Sequence, residues 1–262
     1  MDVLSPRSLD EALRIKADRP GARPIAGGTD VMVELNFDRD RPEALLNLNE
    51  VAELRGWARE DGTLRLGACL TYTEAMELSD TLPALAEASR TVGSPQIRNR
   101  GTIGGNLGTA SPAGDALPPL LIERAEVEVA SVRGSRRLAL GEFLVGPKQN
   151  ALEPDELVVA VRLRPSGQPQ TFMKVGPRNA MVIAVCSLAL VADRERSELR
   201  AAYGSAGPVV ALVTAPLDER VDFPDRVAEA ASPIDDVRGT AAYRRHALRV
   251  LARRAIERAL VS

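Results

Sequence analysis

Thiols, histidine and aromatic rings are scarce in this chain of 262 residues, which holds two cysteines, one histidine and 3% aromatic residues. Each shortage excludes something. Cys69 and Cys186 stand far apart with no Cys-x-x-Cys spacing, and an iron–sulfur cluster takes about four thiolates, so the chain cannot hold one alone. Both sit in apolar sequence, where a free cysteine behaves as a small hydrophobe. His246 lies among arginines, without a serine and carboxylate to form a nucleophilic triad. One histidine and two distant cysteines support no metal site. No catalytic side chain and no metal ligand is therefore assigned. No segment nears the ~20 consecutive apolar residues that span a bilayer, and Met1 to Pro6 lack the basic and apolar regions of a signal peptide. A cytoplasmic location is the expectation. Basic and acidic residues nearly balance, 34 against 36, which argues against a nucleic-acid partner.

Glycine and proline, by contrast, are placed with evident purpose. Ser8-Leu9-Asp10-Glu11 and Thr71-Tyr72-Thr73-Glu74 read as capping boxes that open helices. Arg23-Pro24-Ile25 reads as a strand, and Val31 onwards as the start of a helix. Leu45 to Leu48, Leu64 to Ala68, Glu126 to Val129 and Leu157 to Val161 carry strand character, as do Val182 to Val191, Leu199 to Tyr203 and Val209 to Val213. Helices are expected around Leu82 to Thr91, Ala116 to Ile122 and Ala241 to Leu260. The last bears many arginines beside Leu248, Leu251, Ala255 and Ile256, the pattern of an amphipathic helix with a solvated basic face. Elements in runs rather than strict alternation favour an α+β class. Pro165-Ser166-Gly167-Gln168-Pro169 is the clearest linker and marks a domain boundary.

Two glycine turns carry the functional signal: Ile25-Ala26-Gly27-Gly28-Thr29-Asp30-Val31, and Gly101-Thr102-Ile103-Gly104-Gly105-Asn106 followed by Ser111-Pro112-Ala113-Gly114-Asp115. Paired glycines permit tight turns and leave no Cβ against a bulky ligand, so backbone N–H groups can converge on phosphate oxygens. Neither turn is a Rossmann fingerprint or a P-loop. Either alone is also ordinary turn chemistry. Two in one chain suggest a clamp on a long cofactor.

In order and spacing these turns, with Gln96-Ile97-Arg98-Asn99, Phe172-Met173-Lys174-Val175-Gly176-Pro177-Arg178, Pro233-Ile234-Asp235-Asp236-Val237-Arg238 and Tyr243-Arg244, resemble the FAD-binding subunit of the molybdenum hydroxylases. The resemblance runs over nearly the whole chain. It implies an FAD-binding domain of the vanillyl-alcohol-oxidase (PCMH) type over residues 1–165, in subdomains of about 1–57 and 58–165, and a C-terminal α+β domain over 166–262. It implies that Ile25 through Val31 (Ala26, Gly27, Gly28, Thr29 and Asp30 between them) line the adenosine diphosphate part of FAD. Thr102, Ile103, Gly104, Gly105 and Asn106 would hold the pyrophosphate, Asp115 would accept from ribityl or ribose hydroxyls, and Lys174 would lie at the isoalloxazine. It further implies a large molybdopterin subunit and a small [2Fe-2S] subunit as partners in a dimer of heterotrimers, with NAD+ or another acceptor downstream. Thr29-Asp30 and Asn106 depart from the Ala-Gly-Gly-His-Ser and serine forms of the carbon monoxide dehydrogenase branch. This tilts the expectation towards a xanthine-dehydrogenase-like or related aromatic hydroxylase. A stand-alone flavin oxidase would need an acid or base near its substrate, and the sequence names none.

Overall fold

A computed structural model describes residues 1–261. Three sheets carry it. The first is parallel, with β3 (Ala44–Asn47) between β1 (Asp2–Leu4) and β2 (Arg23–Ile25). A helix, Leu9–Asp18, connects β1 to β2, parallel strands on either side of β3. Its Ser8 cap accepts from the Glu11 N–H at 3.2 Å, but the Glu11 carboxylate returns to the N–H of Arg7 rather than Ser8. The expected box is thus half formed, whereas the one at Thr71 and Glu74 is complete.

The second sheet is antiparallel and joins β4 (Trp57–Glu60), β5 (Thr63–Gly67), β10 (Leu157–Leu163), β6 (Glu126–Ser131) and β7 (Gly134–Ala139) in that spatial order. A short hairpin of β8 (Leu144–Gly146) and β9 (Gln149–Asn150) lies between β7 and β10 in sequence. The third sheet is a meander of β11 (Gln170–Val175), β12 (Cys186–Asp193), β13 (Glu198–Gly204) and β14 (Ala211–Pro216).

β12 is buried along its full length, because both its faces are covered. Ala189 and Val191 on one face join the larger apolar core, with helices Pro83–Arg90 and Leu117–Ile122 packed against this sheet. Leu188, Leu190 and Ala192 on the other face join a second core beneath the terminal helix Ala241–Val261. Alternation with period two delivers neighbours to opposite sides, so an uninterrupted apolar strand is what a two-sided burial demands. On the terminal helix Leu248, Leu251, Ala255 and Ile256 face that core while Arg253 and Arg254 are exposed. No helix of the described residues is long and apolar enough to cross a membrane.

Two differences from the sequence reading stand out, the first of which affects the cavity described next. The strand expected from Val182 begins only at Cys186, and 176–185 instead form a loop in which Met181 has φ 52°. Strands β4 and β7 and the helix Phe223–Ala230 were not expected. β4 and β7 are edge strands with largely exposed, charged side chains, which carry little hydrophobic alternation to read.

Candidate functional site

The glycine turns, separated by some seventy residues, meet in space. A Cβ on Gly27 would lie 1.9 Å from the Arg100 carbonyl oxygen, inside the second turn's approach. One on Gly104 would lie 2.5 Å from the Ala68 carbonyl oxygen. Both positions exclude any side chain because backbone packs on backbone, the close approach that glycine alone allows. Gly28 has φ 74° and turns the chain into the helix Val31–Asn36. Asp30, at the head of that helix, makes no capping bond and instead accepts from the Thr109 hydroxyl at 3.1 Å across the gap. Between the turns lies a cavity of about 570 Å³, within the range of small-molecule and cofactor sites.

Ile25 through Val31, Thr102, Gly104, Gly105, Asn106 and Asp115 line this cavity. Ile103 and Lys174 stand behind the wall. Ile103 is fully buried in the core and donates its N–H to the Leu70 carbonyl. His246 is exposed on the terminal helix, well outside the site. Among the described residues no group of histidine, cysteine and carboxylate side chains could hold a metal ion.

The first run is a tight turn as expected, whereas the second folds as the opening of a helix, Ile103–Thr109, capped by Thr102, so the two differ in what they offer an anion. At the second, the N–H of Ile103 donates to Leu70 O at 2.9 Å, Gly104 to Ala68 O at 2.8 Å, Gly105 to Thr102 Oγ1 at 3.0 Å and Asn106 to Thr102 O at 3.0 Å. These amides already have protein acceptors. Among the described residues, the N–H groups of Gly27, Gly28, Thr29 and Asp30 have no protein acceptor. The first turn is therefore the open donor nest. The second supplies shape: a Cβ on Gly105 would meet only Thr102 Oγ1, at 3.0 Å.

Acceptors also belong to the cavity lining. Asp115 closes the Ser111–Asp115 turn, in which Gly114 donates to Ser111 O at 2.9 Å and Ala113 to Ser111 Oγ at 3.2 Å. Its Oδ2 accepts from Lys174 Nζ at 2.7 Å, and that ammonium also donates to the Thr91 carbonyl at 3.0 Å. Both side chains are at least nine-tenths buried. Lys174 thus acts on the cavity through Asp115 rather than from its wall. Asp115 Oδ1 and Asn106 Oδ1 are buried with no partner. Unpaired buried acceptors are costly, so a ligand bearing hydroxyl groups fits here. Burial pushes the Asp115 carboxyl up to about 6, against the opposing pull of Lys174.

Sequence reasoning missed several wall residues. Tyr72 lines the cavity beside Gly101, and burial lifts its phenol well above the usual value, helped by the charges of Asp115 and Asp30. Cys69 also lines it; burial pushes this thiol up to about 11, which leaves it protonated and inert. Met181, together with Val182 and Ile183 from the start of the segment read as strand, closes one side. Only the completed capping box before Tyr72 gave a sequence signal for any of these.

Residues 1–165 match the family described as FAD binding domain in molybdopterin dehydrogenase. The chain is 33% identical to the xanthine dehydrogenase FAD-binding subunit of Escherichia coli O157:H7, over 97% of this chain and 94% of that one. It is 37% identical to the nicotinate dehydrogenase FAD-subunit of Eubacterium barkeri over 70% of this chain and 66% of the relative. Among solved structures, a chain of Cu,Mo-CO dehydrogenase in its cyanide-inactivated form superposes with a TM-score of 0.92 at 25% identity, covering 100% of this chain and 98% of that one.

Proposed function

The chain belongs to the family of FAD-binding domains of molybdopterin dehydrogenases, and from that membership we propose that it is the electron-transferring FAD subunit of a xanthine-dehydrogenase-like hydroxylase. It is an FAD-dependent oxidoreductase subunit. In this reading a substrate is oxidised at a molybdopterin centre on a large partner, and electrons cross iron–sulfur clusters on a small partner. They then reach the cavity described above and leave to NAD+ or another acceptor, in a cytoplasmic dimer of heterotrimers. The chain's two cysteines require those clusters to lie elsewhere. The xanthine-type assignment is supported by the Escherichia coli relative; a carbon monoxide dehydrogenase-like or other aromatic hydroxylase is the alternative, since the fold is shared with Cu,Mo-CO dehydrogenase.

The observation that carries the FAD site is the pairing of free donors on the Gly27–Asp30 turn with the unpartnered buried acceptors of Asn106 and Asp115. A dinucleotide has phosphates for the first and hydroxyls for the second. Bound FAD supplies a carrier that takes up and releases electrons, chemistry that no side chain here provides. The residues of this chain do the rest. Gly27, Gly28, Thr29 and Asp30 would hold the phosphates through backbone N–H groups. Thr102 fixes the opposite wall by accepting from the Gly105 N–H, Gly104 lets it pack on Ala68, Gly105 leaves it free of a side chain, and Asn106 and Asp115 would accept from the sugar or ribityl hydroxyls. Lys174 holds Asp115 ionised and oriented. Tyr72, Ile97 and the 181–183 loop exclude water with apolar surface. We also propose the division of the chain into an FAD-binding domain at 1–165, with subdomains of about 1–57 and 58–165, and a C-terminal domain at 166–262. The Pro165 to Pro169 linker between the second and third sheets supports it.

The test is an absorbance spectrum of the purified protein before and after FAD, followed by identification of copurifying subunits. Bound FAD without iron–sulfur absorbance in the isolated chain, and copurification with molybdenum and iron–sulfur subunits, are expected. An assembly that takes up no FAD would sink the reading. Reduction by NADH in the assembly distinguishes NAD+ from another acceptor.

A further inference from the structure

Arg244 lies outside the cavity wall in a segment that the electron-transfer reading does not use, yet it is only 3% exposed. Burying a guanidinium is expensive unless its donors are met. Its Nη1 donates to the Ser205 carbonyl at 2.6 Å and its Nη2 to Asp236 Oδ1 at 2.5 Å, while its buried Nε has no partner. Asp236 is braced in turn by Arg238, which donates its backbone N–H to Oδ1 and its Nη2 to Oδ2, both at 2.8 Å. The Pro233 to Arg238 loop and the first turn of the terminal helix are thereby tied to the end of β13.

Ser205 continues the connection inward. Its N–H donates to the Pro112 carbonyl at 2.7 Å, and Pro112 belongs to the turn that ends in Asp115. Ser205 has φ 58°, a left-handed conformation uncommon for any residue but glycine. Its hydroxyl, buried and without a partner, does not hold it there. Its neighbour Gly204 has no space for a side chain: a Cβ would lie 2.7 Å from Ser187 Oγ and 3.1 Å from the Pro112 carbonyl oxygen. Both main-chain groups of Ser205 are bonded in this conformation, its carbonyl accepting from the Arg244 side chain and its N–H donating to Pro112 in the Ser111–Asp115 turn. Strain retained at one residue between a buried ion pair and a ligand-facing turn points to positioning.

We propose that Arg244 is a positioning residue for the flavin site: a relay of Asp236, Arg244 and Ser205 fixes the Ser111–Asp115 turn from behind and so aims Asp115 into the cavity. The inference rests on the reading of that cavity as the FAD site. A purely structural arginine would instead anchor the terminal helix, and its loss would then resemble any other core loss on that helix. Leu248, fully buried on the same helix and packed in the second core, supplies the comparison.

The experiment combines hydrogen exchange on the full chain with FAD titration of wild type and variants. Arg244→Met is expected to speed amide exchange in peptides covering 111–117 and to weaken FAD by about tenfold or more, the effect of losing a charge-assisted bond. Leu248→Ala is expected to lower the thermal midpoint while moving neither readout. Ser205→Gly keeps both main-chain bonds and suits φ 58°, so FAD affinity should equal that of wild type. Should Arg244→Met be too unstable to purify, Arg244→Lys retains the charge but not the forked geometry and should fall between Met and wild type. The relay is overturned if the Arg244 variants exchange and bind as wild type does, if Leu248→Ala reproduces their loss, or if Ser205→Gly weakens FAD. Faster exchange at 111–117 in a protein whose wild type takes up no FAD, alone or with copurifying subunits, overturns the FAD reading itself and leaves Arg244 a structural residue.

Discussion

Asp115 holds a buried charge with one oxygen on Lys174 and the other unpaired, and this split sets its pH behaviour. Its folded-state value of about 6 lies above the usual 3.8. The ligand-free fold is therefore favoured by protonation: that contribution is complete below about pH 4 and is lost as pH rises through about 6. A ligand hydroxyl donating to Oδ1 favours the carboxylate and reverses the preference. FAD affinity should accordingly fall as pH drops below about 6, with Asp115→Asn weaker by roughly 1–3 kcal/mol and flat across that window. Titrations between pH 5 and 8 decide this, and a wild-type curve without a step would remove Asp115 from the site. Lys174→Met leaves the carboxylate buried and alone, a loss of roughly 3–5 kcal/mol in comparable buried pairs. Denaturant melts should show most of that loss at pH 8 and less at pH 5, where the acid can protonate. The flavin potential should respond to Lys174 only through Asp115, because the ammonium is not on the cavity wall.

At the level of elements, the glycine turns perform two tasks that one motif name conceals. Gly27 and Gly104 let backbone pack on backbone, while Gly105 leaves space at the cavity. Gly27→Ala must push Arg100 away and should cost about 1–3 kcal/mol of stability as an overpacked site, together with loss of FAD. Gly105→Val should keep the wild-type melting temperature and lose FAD, since its new atoms point at Thr102 Oγ1 and the cavity. Thermal melts paired with flavin retention separate the two; equal destabilisation by both variants would contradict the assignment. The Gly27-Gly28 turn, the buried strands and both capping residues were legible because each is a local pattern, whereas Gly104 and Gly105 lie in the helix Ile103–Thr109 rather than in a turn. The free amides of the first turn were not, because whether an N–H is free depends on carbonyls such as Leu70 and Ala68 supplied by distant chain.

For the molecule as a whole, the linker at Pro165 to Pro169 separates two sheets without separating two cores. Phe172, Ala189, Val191 and Ala202 complete the larger core from beyond the linker. Glu123 reinforces the junction by accepting from the Ser166 N–H at 2.9 Å and its hydroxyl at 2.7 Å. A fragment of residues 1–165 would expose the apolar faces of helices Pro83–Arg90 and Leu117–Ile122, and surfaces of that kind promote association. It should bind a hydrophobic dye strongly and aggregate, while the full chain stays monodisperse or joins its partners. A well-folded monomeric fragment would show that the third sheet is dispensable to the first core.

The sequence by itself determined the periods of its buried strands and helices, the tight turn at Gly27-Gly28, the need for an external cofactor and external clusters, and the family, since these follow from residue type and short spacing. Tertiary structure decided which glycine turn keeps free donors, that Lys174 stands behind Asp115, that Tyr72 and the 181–183 loop enclose the cavity, and that Arg244 reaches the Ser111–Asp115 turn through Ser205. Each of these depends on groups far apart in the chain competing for one hydrogen bond or one volume, and no local pattern records who wins.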